Sequence, residues 1–126
     1  MHVDAGDATP AEARRLLGPE RIVGTFGGSE TLMPGILKAP ANYLSIGPIF
    51  PTTTKETTKN PIGVAGVRKL REQAGPNVVL VAVGGVTLET VPEILAAGAS
   101  VIGVSAAIFR AKDPAAEFRR WLHALG

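Results

Sequence analysis

This chain of 126 residues predicts an α/β fold built on a parallel sheet. Three observations carry that reading. Short apolar, β-branched runs alternate with segments long enough for helices along the whole chain. The run Val78-Val79-Leu80-Val81-Ala82-Val83 is nearly all apolar, the pattern of a parallel strand covered on both faces. Gly-Pro stops at Gly18-Pro19 and Gly75-Pro76 close helical segments just ahead of such runs. Strict alternation requires crossover helices and parallel pairing.

Composition narrows the function classes. Apolar residues make up 45% and charged residues 19%, which favours a folded core over disorder. The length fits one domain, residues 1–126. Net charge is +2 with a pI near 9.3, and acidic and basic residues are interspersed, so nothing argues for nucleic acid. One Trp and one Tyr make poor platforms for stacked bases. With no cysteine there is no disulfide frame, zinc-thiolate site or thiol nucleophile, which suits the cytoplasm. No apolar run reaches membrane-spanning length, and residues 1–7 lack the basic-then-apolar pattern of a signal peptide.

Taken in order, His2-Val3-Asp4-Ala5-Gly6-Asp7 is short and ambiguous, with a strand end running into a loop as one reading. Thr9-Pro10-Ala11-Glu12 predicts a helix start: Thr9 as cap, Pro10 in the first turn, Glu12 at the capping-box position. Residues 21–26 read as a strand and Gly27-Gly28-Ser29 as a loop. Residues 30–39 contain Pro34-Gly35, so a short or broken helix is expected. Tyr43-Leu44-Ser45-Ile46 reads as a buried strand. Residues 63–74 place Val64, Val67 and Leu70 at helical spacing. Thr90-Val91-Pro92-Glu93 reads as a second capping box, opening a helix that runs to Gly98. Residues 100–104 form a further buried strand. Asp113-Pro114 starts the last helix, whose Phe118, Trp121, Leu122 and Leu125 form one apolar stripe.

Five βα units result, and two architectures compete: an open doubly wound sheet and a (β/α) barrel of the TIM type. Candidate functional residues follow each strand: Asp7, Ser29, Thr52 to Lys55, Gly84-Gly85 and Ser105. In a barrel such loops converge on one mouth. After the third strand comes Gly47-Pro48-Ile49-Phe50-Pro51-Thr52-Thr53-Thr54-Lys55, whose hydroxyls and single ammonium suit an anion, most simply phosphate. Gly85 and the Ser105-Ala106-Ala107 turn offer backbone N–H groups without bulk, and a short helix after the last strand would point its N-terminus at an anion. That matches the phosphate site of the last two barrel loops. Neither G-x-G-x-x-G after the first strand nor G-x-x-x-x-G-K-[ST] occurs, so dinucleotide and P-loop chemistry lack their signal.

The block Gly47 to Lys55 resembles the G-P-I-F-x-T-x-T-K loop of thiamine-phosphate synthases. Gly84-Gly85, the segment from Val101 to Ile108, Asp113-Pro114 and the opening His2 to Asp7 are similar to further parts of that family. The resemblance runs through the chain but covers the family's last five βα units. About three units, with the pyrimidine-binding residues and one of two metal-binding aspartates, are expected ahead of Met1. The resemblance implies a C-terminal partial barrel of a Mg²⁺-dependent transferase that joins hydroxymethylpyrimidine diphosphate to thiazole phosphate and releases diphosphate. It implies Asp7 on the metal, Thr52 and Thr54 on the thiazole phosphate, and Lys55 on the diphosphate. Gly85 and the Ser105 or Ala106 backbone would complete the phosphate site. Phe26 and Gly28 depart from the family's serine and histidine. His2, Lys38 and Lys59 read as surface groups, and Trp121 as core. Partners implied are small phosphorylated substrates and a second copy covering the open strand edges. The alternative is a non-catalytic phosphate-ligand binding fragment, or a subunit completed by a second chain.

Overall fold

The computed structural model describes residues 1–53 and 59–126. Among the described residues five strands make one sheet in sequential order: β1 (His2–Val3), β2 (Gly24–Gly28), β3 (Tyr43–Ile46), β4 (Leu80–Val83) and β5 (Val101–Gly103). Every neighbouring pair is parallel. Helices α1 (Pro10–Leu17), α2 (Gly63–Ala74), α3 (Val91–Ala96), α4 (Ala106–Phe109) and α5 (Pro114–Leu125) lie between and after the strands. All strand C-terminal ends therefore share one edge of the sheet, and the loops that follow them meet there.

The local signals near the N-terminus act as expected. Thr9 caps α1: its hydroxyl accepts the Glu12 N–H, and the Glu12 carboxylate accepts the Thr9 N–H at 2.7 Å. Helix α2 occupies the predicted residues and stops at Gly75, where φ is +79°. The segment with Pro34-Gly35 forms only a single 3₁₀ turn, Ile36–Lys38. Strand β2 starts later than expected and runs on through Gly27 and Gly28, with a register shift between Phe26 and Gly28.

Two expectations are corrected. The second capping box is built by Thr87 and Thr90, around a 3₁₀ turn at Leu88–Thr90. Thr90 makes no side-chain cap on α3. The hydroxyl three residues after Thr87 takes the role expected of Glu93, so the reciprocal bonds sit one turn earlier. The apolar stripe of α5 is the other case. Trp121 is 3% exposed, but Phe118, Leu122 and Leu125 are 51%, 57% and 52% exposed. Helical spacing sets which residues share a face, and only packing decides how much of that face is covered.

The core lies between one sheet face and the helices. Leu44, Ile46, Leu80 and Ala82 meet Val67 and Leu70 of α2, Val91 and Ile94 of α3, and Trp121 of α5. A smaller cluster joins Val3, Ala13 and Val23 under α1. The opposite face carries the registered row Phe26, Ser45, Val81, Val101. Ser45 is buried, while Val101 at the outer strand is 46% exposed.

Two arginines clasp the sheet at its lower end in the same way. Arg71 donates to the carbonyls of Gly75, Val78 and Gly98 and to Ser100 Oγ, which itself accepts the Leu80 N–H. Arg14 donates to the carbonyls of Gly18 and Arg21 and to Asn42 Oδ1, which accepts the Val23 N–H. Each arginine stands four residues before a Gly-Pro stop, and a Gly-Gly pair ends the next strand at Gly27-Gly28 or directly follows it at Gly84-Gly85. The chain thus repeats one helix–turn–strand device, around Arg14 and again around Arg71.

Candidate functional site

Parallel pairing brings together the loops after β2, β3, β4 and β5, and the loop after β3 lies directly across the end of β4. Ile49 N–H donates to Val83 O and Phe50 N–H to Gly84 O, each at 3.0 Å. This approach needs glycine beneath it. A Cβ on Gly85, whose φ is +68°, would stand 2.4 Å from Pro51 O and 2.7 Å from Phe50 O. Gly47 adds a second close approach, since a Cβ there would stand 2.2 Å from Val83 O. The Gly47–Pro48 peptide is cis. The Gly47 N–H also points to Gly28 O at 3.4 Å, linking the ends of β2 and β3.

The predicted site residues divide into three groups. Thr52 continues the segment that rests on Gly85, so these two belong to one neighbourhood. Ser105 and Ala106 open α4 beyond β5 at the same sheet edge. The Ser105 carbonyl accepts from Ile108 and Phe109 N–H, and the Ser105 side chain makes no capping bond. Asp7 stands alone at the β1 edge, exposed, with Oδ2 accepting the Asp4 N–H at 2.8 Å. Thr9, not Asp7, caps the adjacent helix. Thr54 and Lys55 lie outside the described residues.

For a metal, Asp7 is the carboxylate at hand. No group of three or more His, Asp or Glu side chains suitable for a metal occurs among the described residues. Magnesium commonly takes one or two carboxylates and completes its shell with water and substrate phosphates. A single carboxylate oriented by the Asp4 N–H fits that mode of holding, and does not fit a site made of protein ligands alone.

Three features escaped the sequence. Lys59, read as a surface charge, holds its ammonium 3.8 Å from the centre of the Phe26 ring. Phe26 thus supports a cation at the end of β2. Ser29 Oγ is buried with no hydrogen-bond partner among the described residues. Arg110, just beyond α4, donates from both terminal nitrogens to Thr53, to its hydroxyl and, at 3.2 Å, to its carbonyl. No local pattern signals these contacts, because the Arg110 partners are 57 positions apart. His2, by contrast, is occupied as a surface group: its ring stacks on Tyr43, and its nitrogens face the Tyr43 hydroxyl and Asp4.

No helix among the described residues is long and apolar enough to cross a membrane. A family model described as thiamine monophosphate synthase matches residues 1–108. A thiamine-phosphate synthase of Phocaeicola vulgatus is 37% identical over 123 residues, covering 95% of this chain and 59% of the relative. One from Salinispora arenicola is also 37% identical, covering 98% of this chain and 59% of its own length. Among solved structures, thiamine phosphate pyrophosphorylase from Pyrococcus furiosus superposes with a TM-score of 0.71 at 26% identity, over 99% of this chain and 60% of that one. This chain therefore spans about three-fifths of these three proteins, and its sheet corresponds to five βα units of a TIM-type barrel. Family model, relatives and fold agree: the chain belongs to the thiamine-phosphate synthase family.

Proposed function

We propose that residues 1–126 act as one domain in thiamine-phosphate synthesis. In that reaction the bond from hydroxymethylpyrimidine to diphosphate breaks, the diphosphate leaves with the electron pair, and the pyrimidine carbon joins the thiazole phosphate. The observation that carries this reading is the Gly47 to Thr53 segment resting on Gly85 at the end of β4. It is the motif most specific to the family, and it rests on Gly85 in the loop after β4, one of the last two strand-to-helix loops where a barrel commonly binds phosphate. Thr52 and Thr54 hold the thiazole phosphate through their hydroxyls, and Gly85 with the Ser105 or Ala106 backbone supplies N–H donors. Lys55 neutralises the departing diphosphate, where negative charge accumulates in the transition state. Asp7 would hold Mg²⁺, which when bound supplies charge neutralisation to the diphosphate oxygens. The compartment proposed is the cytoplasm, in keeping with the lack of cysteine, and is checked by cell fractionation.

The test is to mix the chain with both substrates and Mg²⁺ and follow diphosphate release. Turnover is expected. Lys55→Ala should lower it by roughly 100-fold or more, while stability changes by less than about 0.5 kcal/mol, as expected of a residue that serves binding and not folding. Equal loss of both would remove Lys55 from the site.

A second reading is favoured by the sides of β1 and β5 that stay unpaired among the described residues. In it the chain binds a phosphate ester without turnover, or acts as a subunit completed by a second polypeptide. Binding of thiazole phosphate with no diphosphate release would select it. The same observation supports self-association. Among the described residues, strands β1 and β5 each have one unpaired side in the sheet order, and Val101 on β5 and Phe118, Leu122 and Leu125 on α5 are exposed apolar side chains. A second copy would cover both.

A further inference from the structure

Arg110 takes no part in the function proposed above, yet it joins two of the loops that build the site. It follows α4, and its backbone N–H donates to Ala106 and Ile108 carbonyls, so its base is anchored in the Ser105–Ala106 turn. Its guanidinium spans to the loop after β3, where Nη1 donates to Thr53 Oγ1 and Nη2 to Thr53 O. Thr53 directly follows Thr52. Such a two-pronged grip on a hydroxyl and a carbonyl uses the planar fork that an ammonium lacks. The contact is exposed, so it contributes little to folding, and it immobilises a long side chain at an entropic cost. What it does secure is the distance between the Thr52 segment and the Ser105–Ala106 turn.

We propose that Arg110 is a positioning residue for the phosphate ester. It clamps Thr53 to the turn after β5, so that hydroxyl donors on one side and backbone N–H donors on the other stand ready before the ligand arrives. Its positive charge adds to the attraction at that edge. Pre-organisation of this kind raises affinity by removing the ordering cost from the binding step. The inference rests on the phosphate-site reading given above, and predicts discrimination: the clamp should matter for the phosphorylated thiazole and not for its unphosphorylated alcohol.

The experiment is calorimetric titration of the full chain with the thiazole phosphate, with the thiazole alcohol, and with inorganic phosphate. Arg110→Ala should weaken thiazole-phosphate affinity roughly 10-fold, as loss of a charge-assisted, pre-organising contact implies, and leave the alcohol unchanged. Arg110→Lys, which keeps the charge and loses the fork, should recover only part of that loss. Thr53→Val removes one of the two acceptors and should weaken binding about 3-fold, less than Arg110→Ala because the bond from Nη2 to the Thr53 carbonyl remains. It should add little on top of Arg110→Ala. This variant also carries the test should Arg110→Ala fail to melt cooperatively. Wild-type affinity in both Arg110→Ala and Thr53→Val overturns the clamp alone. Full recovery by Arg110→Lys overturns it in favour of simple charge. A wild-type chain that binds neither thiazole phosphate nor inorganic phosphate overturns the phosphate-site reading, and the clamp with it.

Discussion

Gly85 shows how little freedom the site leaves at single positions. Its φ of +68° and the carbonyls of Phe50 and Pro51 above it exclude any side chain. Gly85→Ala must push the loop after β3 away from β4 or distort the strand end. The expected cost is roughly 2–4 kcal/mol, the range for strained backbone combined with a steric clash. Denaturant unfolding measures that, and phosphate-ester affinity should fall with it. A Gly85→Ala chain of native stability would show that the loop does not rest there. Gly-Gly is readable in the sequence as a turn, but nothing in it says that two carbonyls from 34 and 35 positions earlier lie overhead. Lys59 makes the same point from the opposite side. As a lone lysine in a polar stretch it reads as solvated, and only folding brings it over the Phe26 ring.

At the scale of elements, the caps and the arginine clasps behave differently. The Thr9–Glu12 box is local. The Thr9 backbone N–H, then its hydroxyl, hold the Glu12 carboxyl below its usual value of 4.5. A depressed folded pKa means stabilisation that is fully present above the unfolded value and lost as pH falls through the folded one. Glu12→Gln should therefore lower the melting temperature at neutral pH, and its gap to wild type should close as pH drops below the ordinary carboxylate range. A gap independent of pH would deny the box that role. The arginine clasps are not local. Arg71→Ala removes four hydrogen bonds, three of them part-buried, and should cost roughly 2–3 kcal/mol, measured by denaturant unfolding. Arg14→Ala, at a mostly exposed equivalent, should cost less. The reverse order would argue against the clasp as a common device. Helix bounds were legible at α1 and α2 because a cap or a glycine stop acts within a few residues. In the turn after β4 the box sits three residues ahead of the position the sequence suggests, because threonine and glutamate can fill the same box position.

For the whole molecule, the exposed side of α5 and the outer side of β5 set the expectation. Val101 on β5 and Phe118, Leu122 and Leu125 on α5 are each about half exposed. Sedimentation across micromolar concentrations should reveal association, and Leu122→Glu should weaken it by roughly 10-fold or more, as burying an unpaired charge in an apolar contact implies. A concentration-independent monomer would end the self-association proposal. What the sequence by itself determined is the order of five βα units, the helix starts and stops at α1 and α2, and the family. Each of those is written in signals a few residues long: apolar runs, caps, Gly-Pro stops and the Gly47 to Lys55 block. Only the tertiary structure decided which helix faces are covered, that the loop after β3 crosses β4 at Gly85, and that Arg14, Arg71 and Arg110 each tie together segments distant in the chain. The physical reason is range. Propensity and capping act along the backbone over one or two turns, whereas a guanidinium or a glycine contact is defined by whatever the folded chain brings within about 3 Å of it.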